Sequence, residues 1–92
     1  LRFARTTPRA DMTTQELQAM GASVRRYGYA PSMFRYAQAL AMNGRLAEAR
    51  EMFVNLRHVH GEGSYRRYRQ ALHESGIEGN SNLRNLDLSL PE

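Results

Sequence analysis

The sequence of 92 residues contains no cysteine, no lysine and no tryptophan, and only three prolines. Without cysteine, the chain has no disulfide bond and no thiolate metal site to compensate for a small core. That absence fits the cytoplasm and the periplasm equally well. No apolar run approaches the ~18 residues that would cross a bilayer, and residues 1–10 lack the apolar centre of a signal peptide. We therefore expect a soluble chain that forms one domain at most.

All thirteen basic residues are arginine, and the formal net charge is +4. Arginine forms bidentate pairs with carboxylates and phosphates and stacks on aromatic rings. Codon bias in a GC-rich genome is the simpler explanation of this composition. The charge balance therefore permits an anionic partner without requiring one.

Helix start and stop signals divide the chain into four short helices. Thr13 and Glu16 have the spacing of a capping box, and Pro31 suits the first turn of a second helix. Asn43-Gly44 ends that helix, and apolar residues recur at helical spacing in every segment. The predicted fold is all-α, with helices at 13–27, 31–43, 45–59 and 64–75, a linker from an upstream region at 1–12 and a C-terminal tail at 78–92. Because the chain starts with Leu1 and not with methionine, we expect a fragment or a processed product.

Two tyrosines flank the glycine that ends the first predicted helix. Tyr27 belongs to the apolar stripe of that helix, and Gly28 suits its left-handed cap. Tyr29 is placed to fold back on Val24. Both rings are therefore predicted to pack against the protein.

The C-terminal tail has the composition of a loop. Leu86, Leu88 and Leu90 alternate with polar residues, which is the pattern of a short strand. We expect these leucines to dock on the helices, because one helical hairpin cannot bury both of its faces. Another copy of the chain or a parent protein would be the other ways to cover that face.

The second and third predicted helices carry the spacing of a tetratricopeptide repeat. Such repeats place small residues where two helices cross and large apolar residues beside them, over a period of about 34 residues. The matching positions are Ala37, Leu40, Gly44, Leu46, Ala49, Phe53 and Leu56. The closing proline of the repeat is missing, and His60 stands roughly in its place. An ordinary amphipathic hairpin has the same ingredients and is the alternative interpretation.

The second and third predicted helices contain the segment PSMFRYAQALAMNGR at 31–45, followed by Glu48-Ala49 and Leu56-Arg57. On these residues, the region 29–75 resembles the C-terminal domain of bacterial membrane-embedded O-antigen polymerases and ligases, a family that includes the protein O-oligosaccharyltransferases that glycosylate pilins. Other bacterial tetratricopeptide proteins share the Asn-Gly turn and the alanines.

The resemblance implies a parent protein that transfers glycans from a polyprenyl pyrophosphate carrier at the periplasmic face of the inner membrane. In that family the catalytic groups are attributed to loops of the transmembrane part, so no catalytic residue is carried over to this chain. The implied role is a non-catalytic periplasmic domain. Its implied partners are the rest of the parent protein, an acceptor such as a pilin, and the lipid-linked glycan.

The candidate binding residues are basic and lie in the second half of the chain. Between Tyr65 and Arg69, arginines alternate with tyrosines, a composition that can bind phosphates and stack on sugars or bases. The full candidate set is Arg57, His58, His60, Arg66, Arg67 and Arg69. In the alternative interpretation, the tyrosines belong to a buried stripe and the arginines form a solvated face.

Metal binding and catalysis find little support in the sequence. His58, His60 and Glu62 alternate, but residues two apart on a helix point about 200° apart, so they form a ligand set only on a strand. Ser64 has no base or orienting acid evident in the sequence. We predict no metal, no cofactor and no active site in this chain. The hypotheses are a docking domain of a glycan polymerase or oligosaccharyltransferase, a free-standing tetratricopeptide scaffold that binds peptides and, least expected, an arginine-rich nucleic-acid binder.

Overall fold

The computed structural model describes residues 8–77 and 80–91, and every regular element in these residues is an α-helix. The helices are α1 (Thr14–Tyr27), α2 (Ala30–Met42), α3 (Leu46–His60), α4 (Glu62–Ile77) and α5 (Ser81–Ser89). The all-α class predicted from the sequence is confirmed, with one helix more than predicted. In the described part of the chain, no helix is long and apolar enough to cross a membrane.

The capping box that opens α1 is present. The Thr13 hydroxyl accepts the Glu16 N–H at 3.1 Å, and the Glu16 carboxylate accepts the Thr13 N–H at 2.8 Å. Arg9 also pairs with this carboxylate at 2.9 Å. The Thr13 N–H and the Arg9 guanidinium both donate to the Glu16 carboxylate, and together they lower the pKa of Glu16. At the other end, Gly28 takes the left-handed conformation (φ 65°) and donates to Val24 O at 2.7 Å.

The end of α2 holds part of the segment that the sequence assigns to a linker. Asn43 Nδ2 donates to Ala39 O at 2.8 Å, which caps the helix, and to Arg9 O at 2.7 Å. Asn43 Oδ1 accepts the Met12 N–H at 3.1 Å, and the Met12 side chain is buried. Residues 8–12 are therefore bound to the helices, while residues 1–7 lie outside the described part of the chain.

The start of α4 differs from the prediction. The sequence predicts that the fourth helix begins at residue 64, but only Gly61 (φ 95°) lies between α3 and α4. Tyr65 N–H donates to Gly61 O at 3.1 Å, so the first helical turn forms over Glu62, Gly63 and Ser64. Glu62 favours this start because a carboxylate complements the positive end of a helix. Gly61 and Gly63 together are typical of a turn, but only Gly61 lies outside the helices and Gly63 is helical.

The alternation of apolar and polar residues in the tail does not form a strand, because residues 81–89 form α5. The Asn80 side chain caps this helix by accepting a backbone N–H of its first turn at 2.8 Å. Leu83, Leu86 and Leu90 are buried, whereas Leu88 is 75% exposed. The three buried leucines follow a spacing of three and four residues, which is the spacing of one face of a helix. The two-residue alternation from Leu86 to Leu90 therefore does not identify which leucines are buried.

The α2–α3 hairpin forms the centre of the molecule. Ala37 on α2 and Ala49 on α3 are fully buried, and Phe53 beside them is fully buried as well. Phe53 packs edge-to-face against Phe34 of α2 and against Tyr65 of α4, with ring centroids 5.9 and 6.0 Å apart. Of the other hairpin positions, Leu40 and Leu56 are buried, Leu46 is half-buried and Gly44 forms the turn.

Helices cover both sides of this hairpin. α1 packs on α2, where Gly21 faces the Tyr36 ring so closely that an added Cβ would lie 2.6 Å from its hydroxyl. α4 packs on α3, and α5 contacts α2, α3 and α4. The apolar face that one hairpin leaves open is therefore covered within the chain.

We expect Ala49→Leu to lower the free energy of unfolding by about 1–3 kcal/mol, because the hairpin crossing has no room for a larger side chain. Ala47→Leu is the matched control, since Ala47 is exposed on the same helix. Urea unfolding followed by circular dichroism measures both. Equal midpoints for the two variants would contradict the close crossing.

We expect Leu86→Ala to cost about 2–5 kcal/mol, because Leu86 is fully buried on the inner face of α5. Leu88→Ala, two residues away on the same helix, should stay within about 0.5 kcal/mol of the wild type. Chemical denaturation of the two variants provides the comparison. A loss of stability in Leu88→Ala as large as that in Leu86→Ala would contradict the docking of α5.

Candidate interaction surface

The predicted basic residues do not form one cluster. Arg57 Nε pairs with Glu62 Oε1 at 2.8 Å, and its guanidinium carbon lies 5.0 Å from the centroid of the Tyr65 ring. Arg66 is 78% exposed and lies 3.6 Å from the second oxygen of the same carboxylate. Arg67 is exposed and makes no hydrogen bond or ion pair with any residue that the structure describes. Arg66 and Arg67 thus face solvent, while Arg57 bridges α3 and α4.

Arg69 is directed at the C-terminal segment. Its guanidinium donates to Pro91 O at 2.8 Å and to Asp87 O at 3.3 Å, and its Nε lies 3.6 Å from the Asp87 carboxylate. Tyr65 Oη donates to the same Pro91 carbonyl at 2.5 Å, and His73 Nδ1 lies 2.9 Å from Asp87 Oδ2. These contacts explain why the chain stays against α4 beyond the end of α5. The solvated face predicted for Arg69 is absent, because its donors are used within the fold.

The two histidines of α3 have different surroundings. His58 is exposed, whereas His60 Nε2 lies 2.7 Å from Gly28 O. A carbonyl oxygen only accepts, so this nitrogen carries the proton. No group of three or more metal-ligating side chains comes together among the described residues.

The His60–Gly28 hydrogen bond joins the end of α3 to the turn between α1 and α2. The two tyrosines beside that glycine point outward, with Tyr27 56% and Tyr29 61% exposed. Their rings stack on each other, with centroids 5.9 Å apart and planes 12° apart. The prediction that Tyr29 folds back on Val24 is wrong, because Tyr29 stacks on Tyr27 at the surface.

Basic and apolar side chains surround this tyrosine pair. The Arg26 guanidinium carbon lies 5.5 Å from the Tyr27 ring centroid, within the range of a cation–π contact. Val59, next to His60, is 62% exposed. Three of the four large hydrophobic side chains exposed in the described residues therefore lie at this place. We call it the basic–aromatic corner and define it by Arg25, Arg26, Tyr27, Tyr29 and Val59.

The basic–aromatic corner contains no carboxylate. The nearest acid along the chain is Glu62, and its two oxygens are paired with Arg57 and Arg66. Arg25 and Arg26 lie in the last turn of α1, where positive charge complements the helix dipole. The corner therefore presents net positive charge beside stacked aromatic rings.

The binding residues predicted from the sequence include no member of this corner. The sequence pattern assigns Tyr27 to the apolar stripe of the first helix and places Tyr29 after its C-terminal cap. The sequence feature that indicates exposure of both tyrosines is their position on either side of Gly28. The chain reverses at a left-handed glycine, and the residues on either side of it leave the helix surface.

Comparisons with known proteins add nothing to this geometry. No protein-family model, no curated protein and no solved structure matches the chain significantly. The functional argument therefore depends on the fold and on the residues of the corner.

We expect Arg69→Gln to lower the free energy of unfolding by about 2 kcal/mol, because it removes charge-assisted hydrogen bonds to Pro91 O and Asp87 O. Arg67→Gln removes the same charge from an exposed side chain of the same helix and should change stability by less than about 0.5 kcal/mol. Urea unfolding of both variants tests the difference. Identical unfolding curves would show that Arg69 does not hold the C-terminal segment.

Proposed function

We propose that this chain is a non-catalytic interaction domain and that the basic–aromatic corner is its contact surface. The observation that carries the proposal is the exposed, stacked Tyr27–Tyr29 pair beside Arg26. Folding normally buries such rings, and their exposure together is typical of a recognition surface. Tyrosine and arginine are also the residues that contribute most often to binding energy at interfaces.

The way in which the corner is held supports the same proposal. The His60 imidazole fixes the Gly28 carbonyl, and the Gly28 N–H is bonded to Val24 O. The turn that carries the tyrosines is therefore tied to both α1 and α3. A contact surface that is already ordered loses less conformational entropy when it binds.

The larger setting that we propose follows from the resemblance of residues 29–75. In that setting the domain belongs to a membrane-embedded glycan polymerase or protein O-oligosaccharyltransferase and lies on the periplasmic side of the inner membrane. There it docks the acceptor, such as a pilin, or stabilises the enzyme. The compact helical fold, with the hairpin at its centre, is compatible with such an appended domain.

The alternative functions have less support. A tetratricopeptide scaffold continues by stacking repeats, and α5 lies across α2, α3 and α4, so a repeat added there would have to displace it. The nucleic-acid hypothesis uses Arg66, Arg67 and Arg69 together, and the Arg69 donors are bonded to the C-terminal segment.

The gene that encodes this chain tests the proposed parent directly. We expect the reading frame before Leu1 to encode a series of hydrophobic spans of ~20 residues each. A soluble repeat array in that position would overturn the assignment to a membrane enzyme and would favour the scaffold.

In that full-length protein, we expect Tyr27→Ser combined with Tyr29→Ser to lower glycan transfer to the acceptor by about tenfold, because the contact surface loses its aromatic residues. Leu88→Ser is the matched control, since it removes an equally exposed apolar side chain from α5. Glycosylated acceptor is quantified by mass spectrometry in cells that produce equal amounts of each variant.

Unchanged transfer in the double tyrosine variant would overturn the corner as the contact surface. An equal loss in Leu88→Ser would do the same, because the effect would then not be specific to the corner. Circular dichroism of the 92-residue chain establishes that both variants keep their helical content.

A further inference from the structure

The basic–aromatic corner has a composition that suits one kind of partner in particular. Building on the proposed function of the corner as a contact surface, we propose that it docks on the headgroups of an anionic phospholipid bilayer. The structural basis is the combination of exposed tyrosines, one exposed valine and two arginines that form no ion pair among the described residues.

The apolar side chains of the corner match the interfacial layer of a membrane. Tyr27, Tyr29 and Val59 are each more than half exposed. Tyrosine is enriched at the membrane–water boundary because its ring is apolar and its hydroxyl remains hydrated. Val59 adds an exposed aliphatic side chain beside His60, which is bonded to the turn that carries these rings. Such side chains enter the headgroup layer individually and need no complementary pocket.

The charges of the corner favour phosphate groups. Arg25 and Arg26 are exposed, and neither forms an ion pair with any residue that the structure describes. A guanidinium binds phosphate in a bidentate manner. Near an anionic surface, each arginine contributes about fivefold to membrane partition. Glu62, the carboxylate nearest to the corner along the chain, is paired with Arg57 and Arg66.

The apolar area of the corner is sufficient for contact with a bilayer. The corner offers three large apolar side chains, and Tyr27 is already partly covered by Tyr29 and Arg26. Lipid headgroups are mobile and adapt to scattered contacts of this kind.

The location of the corner permits docking of the molecule by one end. The corner combines the last turns of α1 and α3 with the turn that leads into α2. The C-terminal segment is held separately, by Arg69 and Tyr65. Contact with a membrane at the corner therefore requires no rearrangement of the fold.

Vesicle sedimentation with the 92-residue chain tests the proposal. The vesicles consist of phosphatidylcholine alone or of phosphatidylcholine mixed with phosphatidylglycerol. We expect binding to the mixed vesicles only, and we expect it to fall at least tenfold as salt rises to about 0.5 M, where exposed charges are screened. Absence of binding to the mixed vesicles at low salt would overturn the proposal.

Matched variants identify the surface that binds. Tyr27→Ser combined with Tyr29→Ser, and Arg25→Gln combined with Arg26→Gln, should each lower partition at least tenfold. Leu88→Ser and Arg84→Gln remove an exposed leucine and an exposed arginine from α5 and should leave partition unchanged. Equal losses in the α5 variants would overturn the assignment to the corner.

Two further outcomes separate this proposal from the proposed function. If the chain ignores the mixed vesicles while the tyrosine variant still loses glycan transfer, the corner binds a protein; the lipid proposal then fails and the proposed function stands. If the corner binds vesicles but the tyrosine variant transfers glycan normally, the lipid proposal stands and the proposed function fails. Retention by single-stranded RNA without vesicle binding would overturn the lipid proposal in favour of nucleic acid.

Discussion

The close crossing of α2 and α3 is the constraint on which the remaining structure depends. Alanine at positions 37 and 49 lets the two backbones approach, and both side chains are completely buried. The approach places Phe53 between Phe34 and Tyr65, so that α4 is oriented by the same aromatic contacts. Since the buried Tyr65 donates to the Pro91 carbonyl, the position of the C-terminal segment also follows from the hairpin.

The same constraint connects the core with the surface. Once α3 is fixed against α2, its last turn lies beside the turn between α1 and α2, and His60 reaches the Gly28 carbonyl. That bond leaves Tyr27 and Tyr29 on the outside, where they can only stack on each other. The exposed aromatic pair is therefore a consequence of how the core is built. A surface held in this way keeps its geometry without a ligand.

The sequence predicted the elements whose signals are local. The capping box at Thr13, the stop at Gly28 and the apolar spacing of the hairpin depend on residues within a few positions of each other. The sequence failed where distant residues decide the outcome. Leu86 and Leu88 look equivalent in an alternating pattern, and only the helices beneath them bury one and expose the other. Arg69 and Arg67 are equally basic, and their different roles depend on where the C-terminal segment passes.

The distribution of charge links these observations to function. Most carboxylates of the described residues are paired with arginines or histidines away from the corner, including the pairs Arg9–Glu16, Arg45–Glu48 and Arg69–Asp87. These pairs cancel within the fold, so the excess positive charge of the described residues lies on the arginines that form no ion pair among them. Arg25 and Arg26 are two of them, and they are adjacent to the exposed tyrosines. A net charge of +4 is small for a chain of this length. Since the acids are paired elsewhere, a modest excess still produces a local field that can attract an anionic surface.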